Sequence, residues 1–160
     1  MHRVLRYVVA LLSASAPVAG QASARVPECL PLHSTVLTPN DARVSRGDGV
    51  VFRSLVDTAT SNLSRLEIHV TTLDEGKSPH PPHRHAHEEL MVLRTGTLEV
   101  LQNDSTRRAV AGSVIFMAAH ELHGLRNPGP GPATYVVIRI DPHDLAEGDS
   151  ARCRVPGSPR

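Results

Sequence analysis

The chain has 160 residues and a formal net charge of +1. That is room for one domain, with too little charge of either sign to suggest nucleic acid or an anionic membrane as a partner. There is no Trp and there are only two Phe and two Tyr, so a core must be built from Val, Leu, Ile and Ala, whereas ten His is a high count for this length.

The N-terminus has the make-up of an export signal. Arg3 and Arg6 precede an apolar run, Tyr7 to Leu12, that is too short to span a bilayer. Small residues follow, and Ala22-Ser23-Ala24 fits the cleavage rule. Residues 1–24 are therefore expected to be a signal peptide, with a mature start at Arg25 and a periplasmic or secreted product. The lack of a twin-arginine pair favours the general secretory route. Residues 25–44 read as an N-terminal extension. Export permits a disulfide, and Cys29 and Cys153, the only cysteines, flank the presumed domain. Pairing them would close a long loop, a staple worth roughly 2–4 kcal/mol in general.

From Val44 onward the pattern is β. Gly47-Asp48-Gly49 is a turn ahead of the apolar segment Val50 to Leu55. Ser64 to Leu73 alternates, with Leu66, Ile68 and Val70 on one face and Glu67, His69 and Thr71 on the other. Leu90 to Arg94 and Thr97 to Leu101 read as a hairpin around Thr95-Gly96. Asn103-Asp104 turns into Arg107 to Ala111, and Gly112 opens Ser113 to Met117. A short strand, His123 to Arg126, ends in a Pro- and Gly-rich stretch from Asn127 to Pro132 that cannot be regular structure. Thr134 to Ile140 is the last strong strand, and Pro142 to Ala146 could start a short helix. Many short strands at close spacing indicate an all-β sandwich or barrel over residues 45–142. Residues 143–160 form a tail rich in Gly, Pro, Ser and Arg.

The chemistry is concentrated in Pro79 to Glu89, which holds four histidines and two glutamates in eleven residues. Imidazole is the commonest protein metal ligand, and a carboxylate completes a site for a divalent ion. Residues two apart on a strand point the same way, so His83 and His85 can reach one ion. Glu89 keeps that parity just ahead of a strand, where a bend could turn it inward. His123, at the start of another strand, is the best further ligand. Three nitrogens and one oxygen suit Mn, Fe, Co, Ni, Cu or Zn. A register through His85, His87 and Glu89 is an alternative. His80 and His87 otherwise read as flanking residues and Glu88 as solvent-facing. Arg65, His69, Arg126, Tyr135 and Arg139 sit on expected strands, and some could point inward.

These residues resemble the two motifs of the cupin superfamily, in its small single-domain, quercetin-dioxygenase-like type. The first family motif is Gly, five residues, His-x-His, three or four residues, Glu, six residues, Gly. Here His83-Arg84-His85 is followed by three residues, Glu89, six residues and Gly96. The second is Gly, five residues, Pro-x-Gly, two residues, His, three residues, Asn. Here Gly112 is followed by five residues, Ala118-Ala119-His120, two residues, His123, three residues and Asn127. Six residues rather than five separate Gly76 from His83, and Ala118 and His120 replace the Pro and Gly of the second motif. Those family residues shape a turn and bind no metal. The resemblance implies a double-stranded β-helix (jelly-roll) barrel, a homodimer, and a divalent transition metal (Mn, Fe, Ni, Cu or Zn) held by His83, His85, Glu89 and His123. Its members include dioxygenases, decarboxylases, isomerases and hydrolases, so the expectation is a metal-dependent, dioxygenase-like enzyme on a small organic substrate. A non-catalytic module that binds a small molecule or metal is the alternative. Glu89 could double as a base. His120 could relay a proton or touch substrate, or simply be an exposed turn residue.

Overall fold

The computed structural model describes residues 32–142. The expected signal peptide, Cys29, Cys153 and the tail beyond Pro142, with its possible helix, lie outside the described residues. Among the described residues nine strands run in order: β1 Arg43–Gly47, β2 Val50–Thr58, β3 Leu63–Leu73, β4 Glu88–Thr95, β5 Thr97–Gln102, β6 Ser105–Val110, β7 Val114–Met117, β8 His123–Arg126 and β9 Ala133–Pro142. A six-stranded sheet has the order β1-β2-β3-β9-β4-β7, and a three-stranded sheet the order β6-β5-β8. Every described pairing is antiparallel. This is the expected all-β jelly roll, but hydrogen bonds do not close the two sheets into one cylinder.

Two sequence expectations are corrected here. Thr95-Gly96 does not close a hairpin: β4 lies in the larger sheet and β5 in the smaller, so the chain changes sheets at this corner. Gly96 suits that role because its φ is +79° and a Cβ there would stand 2.7 Å from Ala133 Cα. Glu89 needs no bend, because β4 begins at Glu88 and already includes it, paired with Met117 and Arg139. The β5–β6 hairpin forms as read, with Asn103 in the left-handed region at φ 52°.

Strand parity decides what faces inward. On β3 the face with Glu67, His69, Thr71 and Leu73 turns towards the smaller sheet. Thr71 and Leu73 are buried, and His69 and Thr71 share a cavity with His123 and Leu125. Leu66, Ile68 and Val70 therefore lie on the outer face, in register with Ile140, Ile138 and Val136 of β9. The core between the sheets is built from Leu73, Met91, Leu93, Leu98, Val100, Leu125, Tyr135 and Val137, among others. Polarity grades along it. Leu73 and Ala133 pair in one inward row, Thr71 and Tyr135 in the next, then His69 and Val137, then Glu67 and Arg139. The apolar end holds the sandwich together, and the charged end is free to do chemistry.

Candidate metal centre and adjoining cavity

The histidine-rich segment is not a strand. It is a loop pinned along β8. His83 and His123 exchange both backbone hydrogen bonds, each 3.0 Å, as an isolated antiparallel bridge. His120 N–H donates to His85 O at 2.7 Å, and Arg84 donates to His120 O at 2.8 Å. Pro82 can lie close to β8 because residue 124 is Gly: a Cβ there would stand 3.0 Å from Pro82 Cγ. This docking, and not strand parity, brings the imidazoles together.

His83, His85 and His123 each offer a nitrogen, and these atoms lie within 4.8 Å of one another. The ring centroids of His83 are 5.1 Å from those of His85 and 4.8 Å from those of His123, while His85 and His123 are 4.5 Å apart. Backbone carbonyls orient two of the rings. His85 Nδ1 donates to His87 O and His123 Nδ1 to Glu121 O, both at 2.9 Å. A carbonyl can only accept, so in the neutral ring the proton is on Nδ1 and the lone pair on Nε2. Both of those Nε2 atoms are buried without a hydrogen-bond partner, as is His83 Nδ1. Leaving one such atom unpaired costs about 1–3 kcal/mol. Burial, followed by the neighbouring His80, His123 and His85 rings, holds the His83 pKa below its ordinary value. That favours the neutral form, which ligates.

Glu89 stands beside this cluster rather than within it. Its Oε1 is 3.5 Å from His85 Nε2 and 3.2 Å from His87 Nε2. His85, His87 and Glu89 form a second triad with ligand atoms within 4.8 Å of one another, so the alternative register has its own geometry. His87 stacks on His85 at 3.5 Å between centroids. A lone pair on His85 Nε2 facing a carboxylate oxygen calls for a cation between them. The donor set thus fits a divalent ion: three imidazoles, two with their tautomers fixed, and a carboxylate alongside. His120 lies elsewhere. It is exposed in a turn with φ 65°, taking the left-handed conformation at the position where the family motif has Gly. His80 packs edge-on against His83 at 4.2 Å, and Glu88 is exposed.

Next to the cluster is a cavity of about 280 Å³, lined by His123, Glu89, His80 and His69 and by apolar groups including Phe52, Met91, Leu125, Tyr135 and Val137. Its charged end continues outward as linked pairs. His87 Nδ1 is 4.0 Å from Asp141, Arg139 Nη2 is 2.8 Å from Asp141, and Arg139 Nη1 is 3.9 Å from Glu67. Of the strand residues read as possibly inward, Arg65, His69, Tyr135 and Arg139 are on the inner face. Arg126 is exposed and pairs with Glu99. Sequence reasoning missed Glu67 and Gly124. The alternation of β3 carried a signal for Glu67, but nothing local marks Gly124.

A cupin domain profile matches residues 69–139, which include all of the candidate ligands and both motifs. This is a cupin-superfamily domain. Solved structures of similar fold include KdgF from Halomonas sp., 18% identical, covering 70% of this chain and 97% of that one at a TM-score of 0.58. They include a predicted oxalate decarboxylase from Thermotoga maritima, 17% identical, covering 66% of this chain and 98% of the other at 0.54. They also include the Fe(II) form of HppE, 21% identical, covering 66% of this chain and 59% of the other at 0.51. At these identities the likeness establishes the cupin fold alone. No curated protein matches the sequence. No helix among the described residues is long and apolar enough to cross a membrane.

Proposed function

We propose that this cupin is an exported metal-dependent enzyme, dioxygenase-like, that binds a small organic substrate beside one divalent transition-metal ion. The observation that carries the reading is the pair of buried, unpaired Nε2 atoms of His85 and His123, in a cluster with His83 whose ligand nitrogens lie within 4.8 Å of one another, next to the cavity that His123 lines. His83, His85 and His123 would hold the ion, with Glu89, whose Oε1 is 3.5 Å from His85 Nε2, as the further ligand. Mn, Fe, Ni, Cu and Zn all suit such a set. When bound, the ion would supply Lewis-acid polarisation of a substrate oxygen and, for the redox-active metals, a site for dioxygen. The protein's share is positioning. Phe52, Met91, Leu125 and Val137 would exclude water, and Glu89 could take a proton at Oε1. The HppE structure, an Fe(II) protein, supports a metal in this fold.

The test is elemental analysis of protein from its native compartment. About one ion per chain is expected, strongly reduced in His85→Ala. Metal-free wild type would refute the reading. Oxygen uptake with catechol, flavonol, diketone and thiol panels tests the enzymatic part. Metal-loaded protein that consumes no oxygen with any of them would leave the non-catalytic binding module. Export rests on the N-terminal sequence, and an intact mass beginning at Arg25 would support it. A homodimer is supported by the outer face of the larger sheet, where Val114, Phe116 and Ile140 are exposed beside Leu90, Val92 and Ile138. Light scattering that gives a monomer mass for the wild type would refute it.

A further inference from the structure

The cavity has a second polar pole, on the sheet facing β8. His69 projects from β3 into the same space that His123 enters from the smaller sheet. Its ring is tilted against Phe52 with centroids 4.4 Å apart. Behind it stands Glu67, whose Oε1 is 3.2 Å from His69 Nδ1. That approach is off the line of the N–H bond, so the contact is electrostatic and Nδ1 counts among the buried nitrogens without a hydrogen-bond partner. Arg65 Nη2 at 3.0 Å and Arg139 Nη1 at 3.9 Å keep the Glu67 carboxylate in place.

A carboxylate beside Nδ1 draws the proton to that nitrogen and leaves Nε2 as the acceptor. No protein group among the described residues hydrogen-bonds Nε2, and this nitrogen is not one of the buried unpaired atoms, so it is open to the cavity that His69 lines. Burial, the larger influence, lowers the His69 pKa and so favours the neutral ring, against the opposing pull of Glu67 and Glu89. An acceptor open to a cavity selects a ligand that brings a donor, because a ligand that displaces water without bringing one leaves the nitrogen unpaired. Between the two poles the walls are apolar. The cavity volume of about 280 Å³ has room for a single ring or short branched chain.

We propose that His69, backed by Glu67, accepts a hydrogen bond from a ligand hydroxyl, so that the cavity takes a compact hydroxylated carboxylic acid whose acidic end reaches the histidine cluster. The inference rests on the metal reading for the acidic end only. Its test is calorimetric titration of cobalt-loaded protein with benzoate, 3-hydroxybenzoate and 4-hydroxybenzoate. One hydroxylated acid should bind about tenfold tighter than benzoate, the worth of one hydrogen bond that would otherwise be missing. In His69→Phe that advantage should vanish while benzoate binding changes little. His69→Gln, which keeps a polar group, should retain part of it. Melting temperatures show whether each variant folds. Absence of any preference, absence of binding by all three acids, or a preference that survives in folded His69→Phe would overturn the inference. Cobalt content of the same samples separates the two ideas. Wild type without cobalt refutes the metal site, and the hydroxyl preference is then read on the metal-free protein. Normal cobalt without a His69-dependent preference refutes this inference alone.

Discussion

Replacing Asn127 by Ala should cost about 3–5 kcal/mol. The side chain is 1% exposed. Its Nδ2 donates to Leu73 O at 3.0 Å and to Gly131 O at 2.8 Å, and its Oδ1 accepts from Gly129 N at 2.9 Å. Its backbone pairs with Lys77 O and with Gly76 N, both at 2.9 Å. One residue therefore ties the end of β3, the loop that leads to the histidines and the turn between β8 and β9. Each hydrogen bond is worth about 1 kcal/mol net, and stranded partners add to that. Urea unfolding followed by circular dichroism should show a midpoint lowered by roughly 2 M, at a slope of about 1–3 kcal/mol/M. Asn127→Asp is the sharper probe. It keeps Oδ1 but sets a carboxylate oxygen against the Leu73 and Gly131 carbonyls, so at pH 7 it should be at least as damaging as Ala. Mild acid should restore part of the loss as the carboxyl regains a proton to donate. A cost below about 1 kcal/mol for Ala, or an Asp variant milder than Ala, would refute the account of this residue as a three-way anchor.

Further outcomes follow from the same geometry. Burial pushes the Tyr135 hydroxyl well above its ordinary pKa. The folded state therefore favours the neutral phenol, and its contribution is complete below about pH 10. Above that pH the unfolded chain ionises first, and stability should fall by up to about 1.4 kcal/mol per pH unit until the folded value is reached. Denaturation from pH 9 to 11 should show the fall in wild type and a flatter profile in Tyr135→Phe. His120→Gly should stabilise by up to about 1 kcal/mol by relieving the left-handed φ of 65°. A loss of stability would show that the imidazole makes contacts worth more than the backbone relief. Gly96→Ala should destabilise by more than about 1 kcal/mol, since its Cβ would collide with the Ala133 backbone and φ is +79°; an unchanged melting temperature would contradict the corner's role. Removing metal with a chelator should lower the melting temperature of wild type, and readdition should restore it, by about 2.7 kcal/mol at a hundredfold excess over Kd. An equal shift in His85→Ala would place the ion elsewhere.

The strands, the jelly roll and the histidine constellation were legible in the chain itself, because period-two alternation, turn residues and ligand spacing are local properties. The partners of each element were not. Thr95-Gly96 has the composition of a hairpin turn, yet it is a corner between sheets, because pairing is settled by which strands bury each other's faces. The alternation of β3 revealed two faces but not which one turns inward. Tertiary packing put Glu67 and His69 inside, where a charged end of the sandwich can pair them, and left Leu66, Ile68 and Val70 outside. Likewise, sequence determined that His83, His85, His123 and Glu89 are of ligand type. Only the docking of a loop on β8, allowed by the missing side chain of Gly124, decided that three imidazoles meet and that Glu89 approaches the Nε2 atoms of both His85 and His87. Ligand chemistry is a property of single residues, but convergence depends on backbone separation across strands that are distant in sequence.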